Sequence, residues 1–445
     1  MSVLVYHSWW RTLKLLSLVG LGLLALLSLN ASDSSAIEEA ELLFIEGSVD
    51  ASIELLESLD LKTHPHALLM LASIYCNSEE WQKLNRLVKD MEDIPYLKDL
   101  SYYFSGRIAL AKNRLGSARR AFEKAAKERT SGTQFIQGHI YFYQALCFQK
   151  LKQMDQASDA YEKALENNFT AESIEEILQL AQLHTLFADA QTTINYLNSY
   201  PESLLKEDAQ IGALLGRAYL NKDLHFLAIK SFSESLALEP EQPSILALRA
   251  NAYRISRNYT SALADIQKAI DLAPKLIELN YVLGLIHFEM GELEGANSAF
   301  QLIFPYMQED SNFLLLSAQL AYTVEDLSFA KKTLSRYLQL QEEVAHINAH
   351  YLSLLLKEND LKNTLTKPQS LDWVFFENYV NERNSADYIL SNTRSASLTF
   401  FMAQVAKANE DSLTEKRLLE TTLERAKKNT PEYLCASWQL KVLEN

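Results

Sequence analysis

Between Gln210 and Pro305 apolar positions gather into helix-length stretches broken by short polar turns. Within them Gly216, Ala250, Gly284 and Ala318 fall 34 residues apart, and so do Ala228, Ala262, Ala296 and Ala330. Two rows of small residues that share one period, twelve residues out of phase, predict a repeated pair of helices. A small side chain in each row allows the two helices of a pair to approach closely. A bulky one there would overpack the contact at a cost of about 1–3 kcal/mol. Pro240, Pro274 and, a little early, Pro305 follow the second helix of each pair and stop it, because proline cannot extend the hydrogen-bond ladder. A heptad coiled coil would show a period of seven without such stops.

The same long-helix, short-turn rhythm extends in both directions. An irregular first pair covers Ile37 to Leu59, and the second begins after Pro65, with Ala72, Tyr75 and Trp81. The third carries Tyr102, Gly106, Ala118, Phe122 and Ala125, and the fourth Tyr141, Ala145, Phe148, Ala157, Tyr161 and Ala164. A degenerate fifth, Ile174 to Tyr200, keeps Ala190 and ends at Pro201. Beyond Glu343 the pattern loosens. Helices are still expected over Ala345–Lys357, Leu371–Val380 and Leu398–Lys428, with a short one inside the polar Asn384–Ser397 and a last one opening at Thr430-Pro431.

The order of an aromatic, a small residue, then Ala, Phe and Ala on the second helix resembles the tetratricopeptide repeat. The resemblance covers roughly Ile37 to Leu340 and is strongest over Asp99–Leu165 and Gln210–Pro305. It implies an all-α, right-handed α-solenoid of helix-turn-helix repeats, with a degenerate helical C-terminal part. The expected divisions are 1–36 as signal or anchor, 37–345 as solenoid, and 346–445 as a degenerate continuation with a terminal cap. A separate helical domain bounded near Lys367-Pro368-Gln369-Ser370 is the alternative for the last part.

In such repeats the ligand groove is lined by the first helix, one and four residues beyond the small position. That register implies an exposed groove offering Arg107, Gln149, Arg217, Asn251, Arg254, Phe288 and Tyr322, with Tyr103, Phe142 and Tyr281 about one turn before the small position. Arginine and aromatic residues anchor protein interfaces, so the implied ligand is a protein or peptide. The carboxylate-clamp form of the family uses a lysine and two asparagines. Here Asn251 matches, but Ala247 and Val282 stand at the other two positions.

Composition agrees with a helical body and narrows its chemistry. Twelve Gly and nine Pro among 445 residues leave little material for sheets, and 48% hydrophobic residues suffice for a packed core. A net charge of −15 with scattered cations disfavours nucleic-acid binding. Cys76, Cys147 and Cys435 have no metal or redox spacing and are expected as buried free thiols. No phosphate loop, nucleophile elbow or metalloprotease motif occurs, so neither a catalytic role nor a cofactor is expected. The one metal-like pattern is His346 and His350 at i, i+4, with Glu342 and Glu343 a turn earlier. It leaves open a C-terminal metal-binding or enzymatic module with the repeats as substrate arm.

At the N-terminus Arg11 and Lys14 precede an uncharged, Leu-rich run from Leu15 to Ser32. Basic residues before an apolar stretch form the pattern of an export signal. The run fits either a signal peptide cleaved near Ser34-Ser35-Ala36 or an uncleaved transmembrane anchor with Trp9-Trp10 at the interface. Both place the body outside the cytoplasm, which is the periplasm if the cell is Gram-negative. A non-catalytic, exported or membrane-anchored scaffold in cell-envelope assembly is the leading expectation, and a cytosolic adaptor the alternative.

Overall fold

A computed structural model describes residues 34–127, 136–171, 173–201, 208–340, 346–356, 370–382 and 384–444. Among the described residues every regular element is a helix. The chain divides into two compact units after Pro201, a division the repeat pattern had not indicated.

The first unit contains five helix pairs: α1 Ser34–Ile45 with α2 Val49–Glu57, α3 Pro65–Asn77 with α4 Trp81–Glu92, α5 Lys98–Ala111 with α6 Leu115–Lys127, α7 Gln137–Lys150 with α8 Met154–Glu166, and α9 Ile174–Phe187 with α10 Ala190–Asn198. The second begins with four regular pairs: α11 Ala209–Asn221 with α12 His225–Leu238, α13 Pro243–Ile255 with α14 Tyr259–Leu272, α15 Leu279–Met290 with α16 Leu293–Ile303, and α17 Ser311–Thr323 with α18 Leu327–Leu340. It continues through α19 Ile347–Leu355, α20 Leu371–Val380, α21 Ala386–Asn392, α22 Ala396–Ala408, α23 Ser412–Arg425 and α24 Pro431–Glu444. The first helix of each pair is termed helix A and the second helix B.

Local chemistry fixes the helix boundaries. Pro65, Pro243 and Pro431 stand in first turns, where the missing N–H costs nothing. Ser173, Asp189, Asp208, Asn258 and Asp310 cap helices by accepting a backbone N–H with the side chain. Helix α12 ends at Leu238, ahead of Pro240, and α14 ends at Leu272, ahead of Pro274.

The small-residue rows mark the A–B contact. A methyl group added to Gly106 would lie 2.5 Å from the Phe122 ring, and one on Gly216 or Gly284 would lie closer still to Phe232 or Phe300. The helix-B rows, Ala118, Ala157, Ala228, Ala262, Ala296 and Ala330, are all fully buried.

Helices α19 to α24 share a core with the repeats before them. One apolar cluster runs from Phe288 through Phe313, Tyr351, Trp373 and Phe401 to Leu440. Helix α24 packs directly on α17. Across the same unit Trp438 Nε1 donates to Glu294 at 3.2 Å, and Lys407 pairs with Glu325 at 2.7 Å. Paired amides of Gln404 and Gln439 join α22 to α24. The Lys367–Gln369 break lies outside the described residues, as does the Leu15–Ser32 run. Among the described residues no helix is long and apolar enough to cross a membrane.

Candidate protein-binding groove

In the first unit the site grows from Gly106. Its bare face meets Phe122 of α6, which turns the next residue, Arg107, about 100° around the helix toward the neighbouring pair. The half-buried guanidinium lies 4.0 Å from the Tyr143 ring centroid on α7, and Nη1 donates to the Tyr103 hydroxyl at 3.0 Å. The Tyr143 hydroxyl in turn donates to the Glu176 carboxylate on α9. Three successive A helices are thus linked through Tyr103, Arg107, Tyr143 and Glu176. With Cys76 of α3, Arg107, Tyr143 and Glu176 floor a cleft of about 420 Å³, whose walls include Trp81, Lys150 and Gln179.

Electrostatics holds the protons in place. Burial pushes the Tyr143 hydroxyl well up; the Arg107 cation opposes that shift and Glu176 reinforces it. Burial alone would lower Arg107, but its pKa stays above the ordinary value in this cluster, where the Glu176 carboxylate is the nearby anion. The floor therefore presents a fixed cation, a protonated Tyr143 and the Glu176 carboxylate, a mixed polar set that suits recognition of a polar ligand.

In the second unit Arg254 of α13 organises the helix-A face. Its Nε and Nη2 donate to Asn251 Oδ1 at 3.1 and 2.9 Å, and Nη1 pairs with Glu289 of α15 in the next repeat. Arg217 of α11 is exposed, while Gln149 of α7 in the first unit and Tyr322 of α17 are half-buried. Burial, with Glu325 nearby, pushes the Tyr322 hydroxyl up to about 12. Tyr281 is partly buried between repeats, its ring 6.5 Å from Phe300 and 6.1 Å from Phe313.

Three of the expected groove residues are buried. Tyr103, Phe142 and Phe288 are 2%, 0% and 4% accessible. Phe142 stacks on Phe169 at 4.1 Å, and Tyr103 meets the Tyr143 ring at 6.1 Å. Phe288 belongs to the core that continues to α24. Tyr103 is covered by the adjacent helix A and Phe142 by the turn that follows α8, while Phe288, one turn after its small position, is covered by the core it joins.

The imidazole pair also differs from expectation. His346 precedes its helix as N-cap, its Nδ1 accepting from Asn348 N at 3.3 Å. His350 lies inside, 5.6 Å from the Trp373 ring, and burial lowers its pKa. The two therefore do not share a helical face, and Glu342 and Glu343 lie outside the described residues. No group of three or more His, Cys, Asp or Glu that could hold a metal occurs among the described residues. All three cysteines are buried and none forms a disulfide.

Sequence reasoning missed Tyr143, Glu176 and Glu289. A faint signal existed for the last: Arg254 and Glu289 carry opposite charges 35 residues apart, one repeat plus one position. It also missed Arg249, which grips Asp265 through two bonds of 2.7 and 2.8 Å and reaches Ser233 at 3.0 Å. That set ties α13 both to its own α14 and to α12 of the preceding repeat.

Comparison with known proteins agrees with this architecture. The family model of the tetratricopeptide repeat matches residues 138–170 and 243–276, the segments occupied by α7–α8 and α13–α14. The chain carries tetratricopeptide repeats. A protein SGT1 homolog of Oryza sativa subsp. japonica is 29% identical over 99 residues, 22% of this chain and 27% of that protein. The BBSome complex member BBS4 of Mus musculus is 21% identical over 337 residues, 74% of this chain and 62% of its own length. The match thus covers about a quarter of the rice relative and under two thirds of the mouse one. Among solved structures, YrrB, described as a TPR protein with an unusual peptide-binding site, is 19% identical with a TM-score of 0.36, over 43% of this chain and 94% of that one.

Proposed function

We propose that this chain is a scaffold that binds a protein or peptide partner along its helix-A faces. The observation that carries the proposal is the bracing of arginines between successive repeats. Arg107 is held by Tyr103 and Tyr143, and Arg254 by Asn251 and Glu289. A guanidinium fixed in this way loses little further entropy when a ligand binds, which is the property of an interface anchor. The mouse relative is named as a member of a complex, which is consistent with such a role. Crosslinking in the native cell, followed by capture of the chain and identification of what is attached, tests the proposal. A specific partner is expected, and its loss from the Arg217→Ala/Arg254→Ala double variant would assign it to this face.

We further propose that the body works outside the cytoplasm, in envelope assembly. The support is the sequence alone: Arg11 and Lys14 before the uncharged run Leu15–Ser32. A reporter fused after Asn445 that is active only when exported should be active. Activity of a cytosol-only reporter instead would replace this reading with a cytosolic adaptor.

A further inference from the structure

Away from the helix-A faces, a shallow pocket of about 320 Å³ lies where helix B of one repeat meets the turn that ended the previous one. Phe304 and Gln308 bound it on one side, and Lys332, Ser335, Arg336 and Gln339 of α18 on the other. No carboxylate lines it, in a chain whose net charge is −15. Lys332 and Arg336 stand at i, i+4 and so project from the same side of α18. Neither forms an ion pair with any described residue.

Both cations are placed by other contacts. Lys332 Nζ stands 4.7 Å from the centroid of the buried Phe304 ring. Arg336 Nε donates to the Gln308 carbonyl at 2.9 Å, and Nη1 reaches Gln339 Oε1 at 3.4 Å. Two like charges held on one helix face, with no counter-charge paired to them among the described residues, repel each other, and an anion between them removes that cost. The Ser335 hydroxyl and the Gln339 amide add neutral hydrogen-bonding groups.

We propose that this pocket is an oxyanion site that receives a phosphoryl or carboxylate group from an acidic segment of a partner protein. The proposal rests on reading the chain as a protein-binding scaffold. A peptide is favoured over nucleic acid because the site is one charge pair wide and the surrounding chain is acidic, which repels a polyanion. Exposed Leu302 and Tyr306, on either side of Phe304 in sequence, give apolar contact area that a peptide can use.

The test titrates the full chain, in mild detergent, into two fluorescein-labelled hexapeptides, one of glutamates and one alternating glycine with phosphoserine, and reads anisotropy at two salt concentrations. At least one probe is expected to bind with a Kd below about 1 mM. Lys332→Gln and Arg336→Gln should each weaken it by about tenfold and flatten its salt dependence, with helicity unchanged by circular dichroism. Lys332 is exposed and touches little, so its variant guards against misfolding as the cause. Lys268→Gln, at an exposed position of α14 outside both the pocket and the helix-A faces, should leave the probe affinity as it was. Which probe binds more tightly separates the phosphoryl from the carboxylate source. Binding of neither probe, or wild-type affinity and salt dependence in both single variants, overturns the proposal. If a native partner is still captured and lost with Arg217→Ala/Arg254→Ala, the groove reading stands while this pocket falls. Probe binding without any captured partner has the reverse meaning.

Discussion

Gly216 and Phe232 stand sixteen residues apart and fit as a pair, the ring lying where a side chain on residue 216 would begin. The same offset joins Gly106 to Phe122 and Gly284 to Phe300. Where helix A carries Ala instead, the residue sixteen positions on is smaller: Val88 after Ala72, Ile266 after Ala250, Leu334 after Ala318. Ala145 with Tyr161 departs from the rule. There the ring leans onto His184 and Phe187 of the next pair, and the hydroxyl meets His184 Nδ1. The small position thus holds glycine where a phenylalanine covers it, and the volume is shared across two helices. Gly216→Ala should destabilise the protein by about 1–3 kcal/mol in chemical denaturation, and Phe232→Leu added to it should cost less than the sum of the two. Additive effects would show that the two residues do not share one space. The row of small residues was legible in the sequence because close helix approach permits few side chains. The burial of Phe142 and Phe288 was not legible, since a period of 34 does not distinguish a ring facing solvent from one covered by the next helix.

The turn between helices A and B is the most regular element in the second unit. Asp223, Arg257, Gly291 and Glu325 adopt φ of 58°, 61°, 78° and 64°, at intervals of 34 residues. At each, two backbone bonds close the end of helix A. Around Arg257, for example, Arg257 N donates to Arg254 O at 2.8 Å and Asn258 N to Tyr253 O at 2.9 Å. This is the Schellman closure, which needs a left-handed residue and prefers glycine. Only one of the four is glycine, which is why the motif left no mark that composition or turn rules could detect. Tertiary packing of both helices holds the other three in a conformation that costs an L-residue about 1 kcal/mol. Arg257→Gly should therefore raise stability by up to about 1 kcal/mol, glycine's greater freedom in the unfolded chain limiting the gain. Gly291→Ala should lower it by about 1 kcal/mol or more. A thermal melt of both variants checks the pair of signs.

At the scale of the molecule, helix pairing was legible almost throughout, because each pair repeats the same steric solution. The last hundred residues were harder. Their helices were foreseen, but their place in one core with the preceding repeats depends on contacts between α24 and α17, and on Trp438 reaching Glu294. Those contacts join residues more than a hundred positions apart and have no period. The division after Pro201 likewise follows from long-range contacts that no local pattern announces. Of the candidate site, Arg107, Arg217, Asn251 and Arg254 were read from register alone. The groups that brace the arginines, Tyr143, Glu176 and Glu289, come from neighbouring repeats and became visible only once the helices were packed.

The central claim is that the helix-A arginines of the second unit, exposed Arg217 and braced Arg254, form a partner-binding face. The most direct measurement is the dissociation constant of the captured native partner for the full chain and for Arg217→Ala/Arg254→Ala, with helicity and melting temperature recorded for both. Two anchors together should be worth at least about 2 kcal/mol, so the variant should bind about thirtyfold more weakly or worse while remaining folded. Equal affinity in a folded variant would contradict the account and place the partner elsewhere on the chain.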